Sequence, residues 1–112
     1  MPFARLYAGD DGQSHIEHIE LDDHPDWTTI HDAKGVVFRV SQPGSFSDWH
    51  HAPQRQYVIT LAGEGEIGLG DGTLFRFGPG QVTFCEDMTG QGHTTRVIGD
   101  VPRVVAWVTV PD

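Results

Sequence analysis

The sequence is poor in cysteine, in basic residues and in long hydrophobic runs. Its single cysteine, Cys85, cannot form an internal disulfide, which is typical of a protein in a reducing cytoplasm. The sequence contains seven Lys and Arg residues and 16 Asp and Glu residues, which gives a net charge of −9 with neutral histidines. Such an acidic surface repels phosphate backbones and anionic headgroups, so we expect neither a nucleic-acid nor a membrane partner. The apolar runs are far shorter than a bilayer span, and we expect no secretory signal.

Amphipathic-helix spacing is also scarce, and alternation of apolar and polar residues dominates instead. An Asp71-Gly72 pair between two alternating runs predicts a hairpin. Many short strands with frequent turn residues predict an all-β sandwich or barrel, and 112 residues predict one domain. The predicted strands are 14–21 (an edge strand), 35 to the Pro43-Gly44 turn, 56–62, 66–69, 73–77, 81–86, 93–98 and 103–110.

Seven histidines are many for a chain of this length, and imidazole is a ligand for Zn, Fe, Ni, Cu and Mn. Three histidines, His50, His51 and His93, lie in segments that resemble the motifs of the cupin superfamily. The first motif is written G-x5-H-x-H-x3,4-E-x6-G, and Gly44, His50, Gln56 and Gly63 occupy its first Gly, first His, Glu and last Gly. The second histidine of the motif is replaced by Ala52, and its glutamate by Gln56.

The second cupin motif is a Pro-Gly turn, a strand, a loop and one histidine, and Pro79, Gly80 and His93 match it. The resemblance covers about residues 35–110 and implies a double-stranded β-helix. It makes residues 1–112 a single cupin domain, with the barrel core at about 35–110 and an N-terminal strand region at 1–34. It also implies a homodimer joined through an N-terminal strand, supplied by residues 5–8 and 14–21.

The resemblance further implies that His50, Gln56 and His93 face the barrel interior and hold a divalent ion such as Fe, Mn, Ni or Zn. Three neutral ligands would leave open positions for substrate, as catalytic metal sites do. Strand alternation turns His51 away from His50 unless a bulge intervenes. A metal-free cavity is the other possibility, in which Gln56 hydrogen-bonds a ligand and His50 or His93 moves a proton.

Glu86 shares strand parity with Val82 and Phe84, which points it toward the interior. There it would restore the missing negative charge and act as the acid–base partner of His93. The alternative is that this carboxylate accepts backbone N–H bonds in the turn that follows, so that its role is structural.

The expected substrate cavity is small and largely apolar, with Phe38, Trp49, Val58 and Phe84 among its lining residues. The resemblance implies an enzyme for a small oxygen-bearing organic molecule, of dioxygenase, isomerase, decarboxylase or cyclase type. The alternative function is a metal-free cupin that binds or senses a small molecule without catalysis.

Overall fold

The computed structural model describes residues 2–112, so Met1, the first residue of the predicted domain, lies outside the description. Within these described residues the chain forms ten strands and two short helical segments, a 3-10 turn at Leu21–Asp23 and the one-turn helix α1 at Pro25–Thr28. The strands are β1 Phe3–Ala8, β2 Ser14–His18, β3 Gly35–Ser41, β4 Phe46–His50, β5 Gln56–Ala62, β6 Glu64–Gly68, β7 Leu74–Phe77, β8 Val82–Cys85, β9 His93–Ile98 and β10 Arg103–Thr109.

The strands form two sheets, which confirms the predicted all-β class. The larger sheet has the order β2-β1-β8-β5-β10-β3, and the smaller has the order β4-β9-β6-β7. Only β1 and β8 pair in parallel among the described strands; the other neighbours are antiparallel. The hairpin predicted at Asp71-Gly72 joins β6 and β7, where Gly72 has a φ of 90°, a conformation that glycine adopts without steric cost.

The N-terminal region departs most from the sequence prediction. The edge strand expected at 14–21 ends at His18, and the 3-10 turn and α1 follow it. Pro25 at the first position of α1 suits a helix start because proline has no N–H to satisfy there. The described residues contain no helix with the length and apolar character needed to cross a bilayer.

Hydrophobic residues collect on both sides of the larger sheet. One cluster lies toward the smaller sheet and includes Leu6, Val58, Ile67, Phe77 and Val105. A second lies on the opposite face, where Phe3, Ile19, Phe84 and Val110 pack with Trp27 of α1. The segment after β2 therefore covers the face of β8 that points away from the smaller sheet, here called the outer face. As a result, β8 is buried on both faces.

The predicted dimer strand at residues 5–8 lies inside the sheet. β1 pairs with β2 along one edge and with β8 along the other, so its backbone has no free edge for a second copy. The free edges of the larger sheet belong to β2 and β3. Along β3 the side chains of Val36, Phe38 and Val40 are 60%, 65% and 63% exposed.

Candidate functional site

A cavity of about 530 Å³ lies between the two sheets, and strands of both sheets line it. This volume is within the range of small-molecule sites. Much of the wall is apolar, and polar side chains cluster among the lining residues contributed by β4, β5 and β9. The lining residues are Arg39, Val40, Ser41, Ser45, Ser47, Asp48, His50, Ala52, Pro53, Gln56, Val58, Ile67, Phe77, Thr83, Cys85, His93, Thr95, Val97, Arg103 and Trp107.

The structure brings His50, Gln56 and His93 together in the wall of this cavity. His50 at the end of β4 stands directly opposite His93 at the start of β9, with ring centroids 4.4 Å apart. Gln56 begins β5 in the other sheet and is 4% exposed. Its side chain shares a face with that of Val58, which also lines the cavity.

A buried carboxylate holds His93. The Nδ1 atom of His93 lies 2.5 Å from Oδ2 of Asp87, and the Ser14 hydroxyl donates to the same oxygen over 2.7 Å. Asp87 is completely buried, and its other oxygen, Oδ1, has no partner among the described residues. An acceptor at Nδ1 fixes the proton there in the neutral ring, which leaves the Nε2 lone pair of His93 for the cavity.

His50 is held in the same way by a weaker acceptor. Its Nδ1 lies 2.7 Å from the backbone oxygen of Asp48, which again leaves Nε2 as the free ring nitrogen. The two imidazoles differ in their support, because His93 has a carboxylate behind it and His50 a neutral carbonyl. A carboxylate is a stronger hydrogen-bond acceptor than a carbonyl, so the ring of His93 is held more firmly than that of His50.

The loop that leads from Asp87 to His93 rests on the turn between β1 and β2. Gln91 donates its backbone N–H to the carbonyl oxygen of Gly12 over 2.9 Å. A Cβ added to Gly90 would overlap the Gly12 backbone, so this approach requires glycine at 90. Together with the bond from Ser14 to Asp87, these contacts make the β1–β2 hairpin a support of the site.

Glu86 lies outside the cavity wall, which corrects the prediction that it faces the site. Its carboxylate accepts two hydrogen bonds from Arg5, the shorter of 2.8 Å, and lies 3.6 Å from a guanidinium nitrogen of Arg55. The parity argument assigned the wrong face of β8 to the interior. Thr83 and Cys85 line the cavity, and Phe84 and Glu86 point the other way.

Three predicted lining residues are corrected with it. Phe84 is 2% exposed but packs against Tyr57 and Trp27 on the outer face, with ring centroids 4.8 and 5.8 Å apart. Phe38 points outward because its neighbour Arg39 takes the inward position beside Trp107. Trp49 is 44% exposed and is absent from the cavity wall.

His51 does not reach the cavity. Its Nε2 is hydrogen-bonded to the backbone oxygen of Gly90, outside the cavity wall. The pairing of β4 with β9 is irregular between Ser47 and His50, but the irregularity ends before His51 and does not turn it inward. The sequence alternation therefore holds at this position.

Cys85 and Arg103 are two of the cavity residues that were absent from the sequence prediction of the site. Burial raises the pKa of the Cys85 thiol to about 12, so the thiol is neutral at ordinary pH. Burial lowers the pKa of Arg103 to about 10, and its Nε atom is buried without a hydrogen-bond partner. The Arg103 guanidinium lies 4.6 Å from the centroid of the Phe77 ring. On β10, Arg103 has the same strand parity as Val105 and Trp107, and on β8, Cys85 has the same parity as Thr83. This parity is the sequence feature that could have identified both residues.

The donor set of the cavity does not fit a firmly held divalent ion. His50, His93 and Gln56 offer two imidazoles and one amide, and Asp87 is already bound to His93 and Ser14. Asp48, the one carboxylate of the lining, accepts a hydrogen bond from the backbone N–H of Trp49. No group of three His, Cys, Asp or Glu side chains arranged to hold a metal occurs within residues 2–112. Arg39 and Arg103 line the same cavity and repel cations. We therefore derive no chemical step through a metal.

Solved structures share this arrangement of strands. A conserved protein with a double-stranded β-helix domain from Klebsiella pneumoniae is 23% identical, with a TM-score of 0.54 over 68% of this chain and 65% of its own. A sugar phosphate isomerase of the cupin superfamily from Silicibacter pomeroyi is 20% identical, with a TM-score of 0.55 over 91% of this chain and 61% of its own. The fold is that of the cupins.

A predicted oxalate decarboxylase from Thermotoga maritima matches along almost all of both chains. It is 16% identical, with a TM-score of 0.53 over 97% of this chain and 93% of its own. By contrast, this chain spans less than two thirds of the Klebsiella and Silicibacter proteins. No family model matches the sequence, and no curated protein matches it. The double-stranded β-helix predicted from the cupin motifs is confirmed.

Proposed function

We propose that this cupin-fold protein is an enzyme that moves a proton to and from carbon in a small carbonyl compound. The observation that carries the proposal is His93 in the wall of the cavity, held from behind by the buried carboxylate of Asp87. A histidine whose Nδ1 is bound to a carboxylate has the arrangement that general acid–base catalysis uses, because the carboxylate orients the ring and stabilises the imidazolium.

The step uses groups of this chain alone. Nε2 of His93 takes the proton from the carbon beside the carbonyl, which leaves an enolate and an imidazolium whose Nδ1–H faces Asp87. Return of the proton to the same or the neighbouring carbon completes an exchange or an isomerisation. The amide N–H of Gln56 is the donor for the enolate oxygen, since its side chain makes no hydrogen bond within residues 2–112 and is held in the wall.

The cavity wall supports this chemistry with apolar surface beside the polar cluster. Val58, Ile67, Phe77 and Val97 supply apolar surface around the polar cluster. Charge interactions and hydrogen bonds are stronger in such a site than in water. His50, with its ring centroid 4.4 Å from that of His93, borders the same site, and the proton returns from Nε2 of His93.

Solvent exchange tests the proposal without knowledge of the product. Carbonyl compounds such as dihydroxyacetone and pyruvate are incubated with the protein in D₂O, and the loss of proton signal beside the carbonyl is followed by NMR. We expect exchange with the native chain, its loss in His93→Gln, and its retention in the control His51→Gln. Exchange that persists in His93→Gln contradicts the proposal.

Elemental analysis of protein purified without a histidine tag tests the metal hypothesis separately. A stoichiometric Fe, Mn, Ni or Zn ion that is lost in a His50→Ala, His93→Ala double variant would favour the metal-dependent enzyme predicted from the cupin motifs. Binding of a small molecule without any exchange would favour the non-catalytic binding or sensor function. The homodimer and the cytoplasmic location stay predictions, and light scattering measures the first.

A further inference from the structure

Arg103 differs from three of the other basic residues of the chain. Arg5, Arg55 and Arg76 all lie within 4 Å of a carboxylate oxygen, of Glu86 or Glu66. No carboxylate pairs with Arg103 in the part of the chain that the structure describes. Burial removes water from its guanidinium group and lowers its pKa. A desolvated cation without a counterion is costly, and such groups are retained where a ligand supplies the missing charge.

The charge of the cavity has the opposite sign to that of the whole chain. The protein carries a net charge of −9, yet its cavity is lined by two guanidinium groups, Arg39 and Arg103, and by one carboxylate, Asp48. With neutral histidines the lining sums to 2 − 1 = +1. A single negative charge balances this sum, whereas a doubly charged phosphate would exceed it.

The local packing holds the Arg103 guanidinium in place at the cavity wall. The guanidinium lies on the Phe77 ring, 4.6 Å from its centroid, and Gly65 faces both groups. A Cβ at Gly65 would overlap the Phe77 ring and come within 3.2 Å of Nε of Arg103. The ring fixes the plane of the guanidinium, and the planar fork of N–H donors matches the two oxygens of a carboxylate.

We propose that the cavity binds a small organic carboxylate and that Arg103 is the residue that anchors its carboxylate group. This inference rests on the proposed function, since it names the substrate class as oxo acids whose carbonyl then lies toward Gln56 and His93. Arg103 is thus a binding residue, and the reacting atoms belong to the histidine side of the cavity.

Calorimetric titration of the native chain with acetate, pyruvate and malonate tests the anchor, with acetamide and malonamide as neutral isosteres and inorganic phosphate as the other anion. We expect the carboxylates to bind at millimolar concentration, the amides not to bind, and phosphate to bind more weakly. Arg103→Met should weaken carboxylate binding at least about tenfold, and Arg103→Lys, which keeps the charge but not the fork, by less.

Arg96→Met is the matched control. Arg96 also lies over an aromatic ring, 4.5 Å from the centroid of Phe46, but it is exposed and outside the cavity. Its loss should leave carboxylate binding unchanged. Thermal unfolding separates anchoring from a structural role, because removal of an unpaired buried charge should leave Arg103→Met at least as stable as the native chain.

Three results overturn the inference: carboxylates that bind Arg103→Met as they bind the native chain, phosphate that binds more tightly than any carboxylate, or a carboxylate panel that does not bind at all.

The experiments distinguish failure of this inference from failure of the proposed function. Carboxylate binding without solvent exchange leaves the anchor and removes the catalysis. Exchange into dihydroxyacetone without carboxylate binding removes the anchor and leaves the catalysis.

Discussion

Asp87 and His93 face each other across a loop of five residues, with 2.5 Å between Oδ2 and Nδ1 and with both side chains almost withdrawn from solvent. The pair places a proton acceptor in the wall of a cavity between two sheets. It also determines which nitrogen of the ring is available. Both the stability of the fold and the protonation of the ring should therefore respond to changes in this pair and in its support.

Asp87→Asn should reverse the tautomer of His93. The amide of the introduced asparagine would offer N–H donors in place of a carboxylate, and the proton would move from Nδ1 to Nε2. Long-range ¹H–¹⁵N NMR spectra of the imidazole distinguish the two tautomers directly. We also expect a loss of about 2 kcal/mol in the free energy of unfolding, because a hydrogen bond to a charged group is weakened. An unchanged tautomer would show that Asp87 does not orient the ring.

Ser14→Ala should destabilise the fold while leaving the tautomer of His93 as it is. The substitution removes the second donor to Oδ2 of Asp87, whose Oδ1 already lacks a partner within residues 2–112. We expect a cost of about 1–3 kcal/mol in urea unfolding, the usual penalty for an unsatisfied buried group. Ser47→Ala, at a cavity residue without a side-chain hydrogen bond, is the control and should cost less.

Cys85 should react very slowly with iodoacetamide in the native protein. A rise in pKa from 9 to about 12 lowers the thiolate fraction at pH 8 about a thousandfold, and burial adds to the protection. Alkylation followed by mass spectrometry, in buffer and in urea, measures the difference. Rapid modification of the native chain would mean that the cavity opens readily at β8.

The same thiol gives a pH dependence of stability. Because the folded pKa is raised, the unfolded chain loses the Cys85 proton first as the pH rises above about 9. This contribution to stability is complete below pH 9 and is lost between pH 9 and 12. Cys85→Ala should therefore show a smaller decline in that window than the native chain, in urea titrations at fixed pH. An identical decline in both would contradict the raised pKa.

Gly65→Ala should destabilise the protein, and Gly35→Ala should not. The new methyl at 65 would overlap the Phe77 ring and crowd Arg103, which costs about 1–3 kcal/mol and narrows the cavity. A methyl at 35 meets nothing within 4 Å, and an alanine there restricts the unfolded chain, a gain of up to about 1 kcal/mol. Both glycines lie in strands, so thermal unfolding of the two variants forms a matched comparison.

The cupin resemblance indicated the correct face on β5, whereas strand parity indicated the wrong face on β8. On β5, polar Gln56 and aromatic Tyr57 mark different environments, and the structure puts Gln56 and Val58 in the cavity wall. On β8 both faces are buried, one against the cavity and one under Trp27. A strand that is apolar on both sides carries no information about which side is the interior. Glu86 was misplaced with Phe84 for this reason.

The cupin motifs identified the two histidines but could not identify their partners. Asp87 follows the end of β8, in a loop whose path depends on the β1–β2 hairpin, far away in sequence. Arg103 lines the cavity from β10, which pairs with β5 only through residues far away in sequence. Local patterns do not predict such long-range pairing, whereas spacing within one motif is local.

The contacts that the β1–β2 hairpin makes with Asp87 and with the loop to His93 have a practical consequence for anyone who manipulates this protein. Residues 3–18 are not dispensable. Shortening or replacing them removes the hydrogen bond from Ser14 to Asp87 and the bond from Gln91 to Gly12, which support His93. Affinity handles are better attached at the opposite terminus, where Pro111 and Asp112 are exposed and absent from the cavity wall.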